Sequence, residues 1–209
     1  MSRPSWDILI CSVEHRTDQL AGLLAELALQ MVPGVGVRIF RDNLQTGYGE
    51  KCDALLKSSS AEYVSMLDDD DWIASDFVAR IVAALESKPD YVGFAVRYTE
   101  DGVYQIPVIH SLEFEGWHDF PHILRRDIVH FNPLRRELAL LGQWEGGNGA
   151  DRRWAAGVRG HAKTQVYIPS EVYEYRHTSA DTFLASSTRE PLTEHPPRPE
   201  WPWAVYIDA

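Results

Sequence analysis

Glu62-Tyr63-Val64-Ser65-Met66-Leu67 runs straight into Asp68-Asp69-Asp70-Asp71. The first part is a short, mostly apolar run and reads as a strand buried on both faces. Ligands of open α/β sheets bind beyond the carboxyl ends of the strands, so the aspartates stand where a site belongs. Four adjacent carboxylates repel one another and raise one another's pKa. A divalent cation removes that cost, and an all-oxygen donor set suits Mg2+ or Mn2+. The competing reading is an acidic turn at the start of the next helix, where aspartates favour the dipole. Four of them directly after a buried strand favour the metal.

The residues on either side extend the pattern. Trp6 to Cys11 is a second apolar run. Leu20, Leu23, Leu24, Leu27 and Met31 then recur at helical spacing, with Thr17 or Asp18 as cap and Pro33-Gly34 as stop. Val35 to Phe40 predicts another strand, so the chain opens β-α-β, the signature of a parallel sheet with a right-handed crossover. Gly47-Tyr48-Gly49 reads as a flexible loop before a short helix. Ser75 is placed to cap a helix carrying Phe77, Val78, Ile81, Val82 and Leu85. Tyr91–Tyr98 and Val103–Ile109 flank Asp101-Gly102, a hairpin with a loop longer than two residues. Glu113 to Asn148 is irregular, Asp151–Val158 a short helix and Lys163–Ile168 a late strand. Glu190 to Pro202 is proline-rich and reads as an extended tail.

With 209 residues, 44% apolar and 24% charged, the chain has globular composition and length for a sizeable core. No apolar run approaches the ~20 residues of a membrane span. Met1 to Asp7 lacks the basic and apolar regions of a secretory signal, so the expected compartment is cytoplasmic. The two cysteines, Cys11 and Cys52, are then expected as free thiols. A net charge of −11 excludes a broadly basic nucleic-acid footprint. Nearly half of the arginines, however, lie between Arg125 and Arg159, which leaves a local basic groove open.

Taken in order, several stretches resemble one family. Gly49 to Leu56 followed by Ala61 to Trp72 is similar to the nucleotide-sugar half of family 2 glycosyltransferases with the GT-A fold. The Ile8–Ser12 strand with Arg16, and Arg38-Ile39-Phe40-Arg41-Asp42-Asn43, resemble the family's first two strand units. His130-Phe131-Asn132-Pro133-Leu134-Arg135-Arg136, then Gly149-Ala150-Asp151-Arg152-Arg153-Trp154, resemble a subgroup reading His-Leu-Asn-Pro-x-Arg-Arg and Gly-Glu-Asp-Arg-x-Trp. The resemblance spans about residues 6–180. The sequence departs from the family at Cys52, Asp53 and Ala150, where it usually carries arginine, asparagine and glutamate.

The resemblance implies an α/β GT-A domain with a mixed, mainly parallel twisted sheet over 1–189. Within it, 6–98 form the nucleotide-sugar half and 99–189 the acceptor half, and 190–209 are the proline-rich tail. It implies a metal-dependent, inverting hexosyltransferase that takes its sugar from a nucleotide-diphosphate donor. Asp70 is the implied leading ligand of Mn2+ or Mg2+, with Asp68 acting through water and His177 as a further ligand; His130 and His161 compete with it. Asp69 is implied to meet the ribose, Asp42 the nucleobase as acceptor of a uracil imide N–H, and Ser12, Arg16 and Lys51 other parts of the nucleotide. Asp71 belongs either to this set or to the start of the following helix. Asp151 is the implied general base, with Glu145 next in line. Trp154 is either a sugar platform or core.

The acceptor is open: a hydroxymethylated nucleobase in DNA, a glycan, a protein hydroxyl or a small metabolite. Arginines interleaved with Trp144 and Trp154 fit an anionic or base-containing one. The oligomeric state is open as well. Two other functions share these features. A nucleotidyltransferase uses similar carboxylates but attacks phosphorus, and a non-catalytic module binds the nucleotide sugar without turnover.

Overall fold

The structure, a computed structural model, describes residues 4–145 and 149–178. The expected 190–209 tail therefore lies outside the described residues. The chain opens with strand β1 (Trp6–Val13), helix α1 (Thr17–Gln30), β2 (Val35–Asp42), helix α2 (Tyr48–Ser58) and β3 (Tyr63–Asp68). β1 lies between β2 and β3 and is parallel to both. Its register sets Val13 beside Asp42 and Cys11 beside Asp68. Three carboxyl ends therefore finish side by side.

The helices cover both faces of that sheet. Trp6, Ile8 and Ile10 pack against Leu20, Leu23 and Leu27 of α1, and against Phe77, Val78 and Ile81 of α3 (Phe77–Leu85). Leu9, Cys11, Val64 and Met66 face the other way, toward Cys52, Leu55 and Leu56 of α2. Trp154, Ala155 and Val158 of α5 (Ala150–Val158) complete that side. A parallel strand buried on both faces is apolar throughout, as β1 is.

The remaining elements widen the sheet. They are β4 (Trp72–Ile73), β5 (Tyr91–Glu100), β6 (Val103–His110), β7 (His118–Phe120), β8 (Ile123–Arg126), β9 (Leu134–Arg135), helix α4 (Arg136–Ala139) and β10 (Gln165–His177). The strand order is β2-β1-β3-β9-β5-β6-β8-β7, with β10 lying parallel along β5 and taking β4 as an antiparallel neighbour. The sheet is mixed. β2-β1-β3, β5-β10 and β6-β8 are parallel, whereas β9, the β5-β6 hairpin and β7-β8 are antiparallel. No helix of the described residues is long and apolar enough to cross a membrane.

Several local expectations change. Tyr48 begins a helix rather than sitting in a flexible loop, because Glu50 Oε2 accepts the Gly47 N–H at 3.2 Å and fixes the helix start. Asp76, not Ser75, stands at the N-cap of α3, and neither α1 nor α3 has a side-chain cap. The β5-β6 loop is only two residues long. Asp101 and Gly102 both have positive φ, 49° and 78°, as the tight hairpin turn requires. The irregular stretch holds β7, β8, β9 and α4. β10 continues past Ile168, where Pro169 removes a backbone donor, by shifting register between Ile168 and Tyr173.

Gly93 in β5 shows how closely the sheet is packed. A Cβ there would press on the His110 carbonyl oxygen and lie 3.2 Å from the Tyr167 ring. Gly93→Ala is expected to destabilise the fold by about 1–3 kcal/mol. Urea unfolding followed by circular dichroism checks this, and an unchanged midpoint would show that β5 and β6 have room to part.

Candidate active site

The carboxyl ends of β1, β2 and β3 carry an interlocked set of polar side chains. Asp69 is 2% exposed. Its Oδ2 accepts the Ser12 hydroxyl at 2.6 Å, and its Oδ1 accepts Arg16 Nη1 at 3.0 Å. The same Arg16 atom lies 2.9 Å from Asp70 Oδ2. Lys51, buried on α2, donates to the Ser12 carbonyl at 2.9 Å and pairs with Asp42. The sequence-predicted Ser12, Arg16, Lys51, Asp42, Asp69 and Asp70 are thus brought together.

Asp42 forms a turn as well as an ion pair. Its carboxylate accepts the N–H of Leu44 at 3.2 Å and of Thr46 at 2.7 Å. The Lys51 hydrogen bond, helped by Thr46, draws its pKa down to about 2.

Asp68 faces the other side. Its Oδ1 accepts the Tyr48 hydroxyl and its Oδ2 accepts His130 Nε2, each at 3.2 Å. Burial works to raise the Asp68 carboxyl, but His130, with Tyr48 and Arg16, outweighs it and leaves the group lowered. Burial likewise works to lower His130, and Asp68 leaves it raised. Asp151, half-buried in the first turn of α5, lies near enough for its charge to add to that rise. Gly149 precedes it at φ +72°, a left-handed cap that glycine adopts without strain. Gly146, Gly147 and Asn148, just before this cap, lie outside the described residues.

Asp71 caps no helix, because α3 starts only at Phe77. It is buried, and accepts the Tyr173 hydroxyl at 2.6 Å and the Arg176 N–H at 2.7 Å. Burial and the Asp68 charge push its carboxyl well up. Asp70 keeps partial exposure, 24% of its side chain. Burial, then the charge of Asp68, raises it to about 6.

Some expected members stand apart. His177 Nδ1 is 3.7 Å from Glu100 Oε1 at the paired ends of β10 and β5. Among the described residues no three His, Cys, Asp or Glu side chains form a group that could hold a metal ion by themselves. Asp68, Asp70 and His177 are therefore not gathered into one donor set. Asp68 and Asp70 alone still suit a hard cation, which is commonly held by one or two carboxylates plus substrate phosphates and water.

Trp154 is core: it is 3% exposed, donates Nε1 to the Ala139 carbonyl and stacks on Trp144 at 5.1 Å. Trp144 in turn meets Tyr48 and His130 edge-on, at 6.1 Å each. Ala150 is 1% exposed, so a glutamate there would displace core packing. Asp53 pairs with Lys57 one turn along α2. Cys52 touches Cys11 at 3.6 Å, and both are free and buried.

The arginine-rich segment is largely engaged within the fold. Arg126 pairs with Asp119, Arg135 with Glu62 and Asp90, and Arg159 with Asp127. Arg153 bonds the Glu145 carbonyl, and Arg125 lies between the Phe114 and Phe120 rings. These intramolecular partners occupy most of the arginines that left a local basic groove open. Sequence reading gave Tyr48 and Tyr173 no role, since both reach the aspartates across the fold.

Comparison with known proteins fits this geometry. The model of the family described as "Glycosyl transferase family 2" matches residues 3–140. The chain belongs to that family, and its fold is the GT-A fold of these glycosyltransferases. Asp151 and β10 lie beyond the matched stretch. No curated protein matches the chain by sequence.

Among solved structures, S. aureus TarS 1-349 in complex with UDP-GlcNAc superposes with TM-score 0.63 at 14% identity, covering 82% of this chain and 58% of that one. TarS 1-349 in complex with UDP gives 0.63 at 16%, covering 82% and 60%. Mannosyltransferase PcManGT from Pyrobaculum calidifontis, in complex with GDP-Man and Mn2+, gives 0.55 at 17%, covering 84% and 57%. The chain spans about three-fifths of the length of these structures.

The Asp42–Lys51 pair yields a direct prediction. A carboxyl whose folded pKa is depressed contributes stability above its ordinary 3.8, and loses it as pH falls through about 2. Carboxyl-carbon NMR should find Asp42 titrating near 2 in the native chain and markedly higher in Lys51→Met. A native midpoint near 3.8 would show that the pair does not form.

Proposed function

We propose that this chain moves a sugar from a nucleotide-diphosphate donor, a UDP-sugar, to an acceptor hydroxyl in one metal-dependent displacement that inverts the anomeric carbon. The observation that carries this reading is the unequal placement of four consecutive aspartates. Asp69 and Asp71 are buried among donors, Asp68 is held by Tyr48 and His130, and Asp70 stays partly exposed with a raised carboxyl. Asp70, with Asp68, is the pair for Mn2+ or Mg2+. When bound, the ion supplies Lewis-acid stabilisation of the leaving diphosphate. His177, set against Glu100, is the member of the expected ligand set with least geometric support.

The likeness to TarS with UDP-GlcNAc and to a mannosyltransferase with GDP-Man and Mn2+ supports a nucleotide sugar and a metal. Asp42 favours uridine. Lys51 and Thr46 hold its carboxylate ionised, with a pKa drawn down to about 2, and an ionised carboxylate is the acceptor that an imide N–H needs. Lys51 fixes Asp42 against β1, and Asp69 acts by holding Ser12 and Arg16 rather than by meeting the ribose itself. Asp151 takes the proton of the acceptor hydroxyl while that oxygen bonds to the anomeric carbon. The bond from that carbon to the diphosphate breaks, and its electron pair leaves with the nucleoside diphosphate. The acceptor class stays as broad as the sequence left it.

Two measurements test this. UDP with Mn2+ should raise the melting temperature, and UDP alone much less, because a ligand of the native state alone stabilises it. A larger shift with GDP would overturn the uridine assignment, and no shift with either nucleotide would overturn the donor reading. Asp151→Asn should slow transfer by about 10²–10⁴-fold while UDP affinity is kept, the scale of a well-placed general base. A parallel loss of UDP affinity would make Asp151 a binding or folding residue instead.

A further inference from the structure

The loop after β2 holds a leucine in a backbone conformation that leucine avoids. Leu44 has φ +64°, in the left-handed region, where asparagine and glycine sit more easily. Burial gives nothing back, since Leu44 is 68% exposed. The loop is nevertheless held firmly. Asp42 accepts the N–H groups of Leu44 and Thr46, and Gln45 Oε1 accepts the Asn43 N–H at 2.8 Å. Asp42 is itself paired with Lys51, which bonds the Ser12 carbonyl at the end of β1. The strained residue is thereby fixed to the same clamp that gathers the strand ends. Strain of this kind persists where surrounding bonds over-determine it, and it concentrates at ligand clamps. An apolar side chain held in place beforehand also loses little freedom when a ligand covers it.

We infer that Leu44 is a specificity-determining residue for the donor: it covers one face of the nucleobase of a nucleoside diphosphate whose polar edge meets Asp42. The inference rests on the donor reading above. A nucleobase presents an apolar face and a hydrogen-bonding edge, and one short loop offers a partner for each. Asp42 fixes the Leu44 backbone through the Leu44 N–H, so the polar and apolar contacts move as one unit.

The test is Leu44→Asn, which suits the left-handed backbone and removes the apolar surface. Calorimetry would measure binding of UDP, of UMP and of inorganic pyrophosphate, each with Mn2+. Losing contact with about half a leucine side chain should weaken UDP and UMP alike by about five- to tenfold. Pyrophosphate, which has no base, should bind as before, and the melting temperature should be equal or higher. Leu44→Met should retain most of the affinity. Unchanged UDP binding by Leu44→Asn overturns the inference while leaving the donor reading intact. A matching loss of pyrophosphate binding, a lowered melting temperature, or dissociation of an oligomer overturns it too, by moving the role of Leu44 to phosphates, packing or a contact between copies. A native chain that binds no UDP removes the donor reading and this inference together.

Discussion

Consecutive carboxyl groups at the end of a buried strand are tolerable only if their charge and polarity are compensated. In this fold the compensation is divided among elements far apart in the chain. Asp69 looks toward β1 and takes Ser12 and Arg16, and Asp68 takes Tyr48 from α2 and His130 from before β9. Asp71 turns inward to Tyr173 and the Arg176 N–H on β10. Asp70 has Arg16, shared with Asp69, and keeps its raised carboxyl. One aspartate run therefore holds β1, α2 and β10 around a single point. It also leaves one carboxylate whose repulsion a cation would relieve.

The parallel register makes this arrangement possible. Because Val13 pairs with Asp42 and Cys11 with Asp68, the β1 end lies between the ion pair of Asp42 and the aspartate run. Lys51 reaches both β1 and β2 from α2, with its ammonium buried between the Ser12 carbonyl and Asp42. On the far side, His130 and Tyr48 link Asp68 to Trp144, and the Asp151 charge reaches the same imidazole. Asp42 thus belongs to the Lys51 side of the strand ends, and Asp151 to the His130 side.

The β-α-β opening, the leucine helix and the strand ending in aspartates were legible because each follows from local periodicity or from one run of like charge. Residues at the ends of parallel strands were legible for the same reason, since such strands place their ends together. What escaped depends on contacts across the fold. Tyr48 looked like part of a glycine loop, yet its hydroxyl meets Asp68. Asp71 looked like part of either the ligand set or a helix start, yet Tyr173, 102 positions away, claims it. The arginines looked like a groove, because a sequence does not show that Glu62, Asp90, Asp119 and Asp127 stand beside them. The late strand was expected to end at Ile168, and a register shift carries it past Pro169 to His177.

The central claim is that Asp70, with Asp68, is the part of the run proposed for a ligand, while Asp69 and Asp71 hold the fold. It is tested by comparing Asp70→Asn with Asp69→Asn at pH 7.5, measuring melting temperature and Mn2+-dependent UDP binding on the same samples. A carboxyl raised to about 6 in the fold disfavours its own ionised form there, so neutralising it should not destabilise the native state. Asp70→Asn is therefore expected to melt no lower than the native chain and to lose Mn2+-dependent UDP binding, whereas Asp69→Asn should melt lower. An Asp70→Asn chain that melts well below the native protein, or that still binds UDP with Mn2+ at native affinity, would contradict that division of roles.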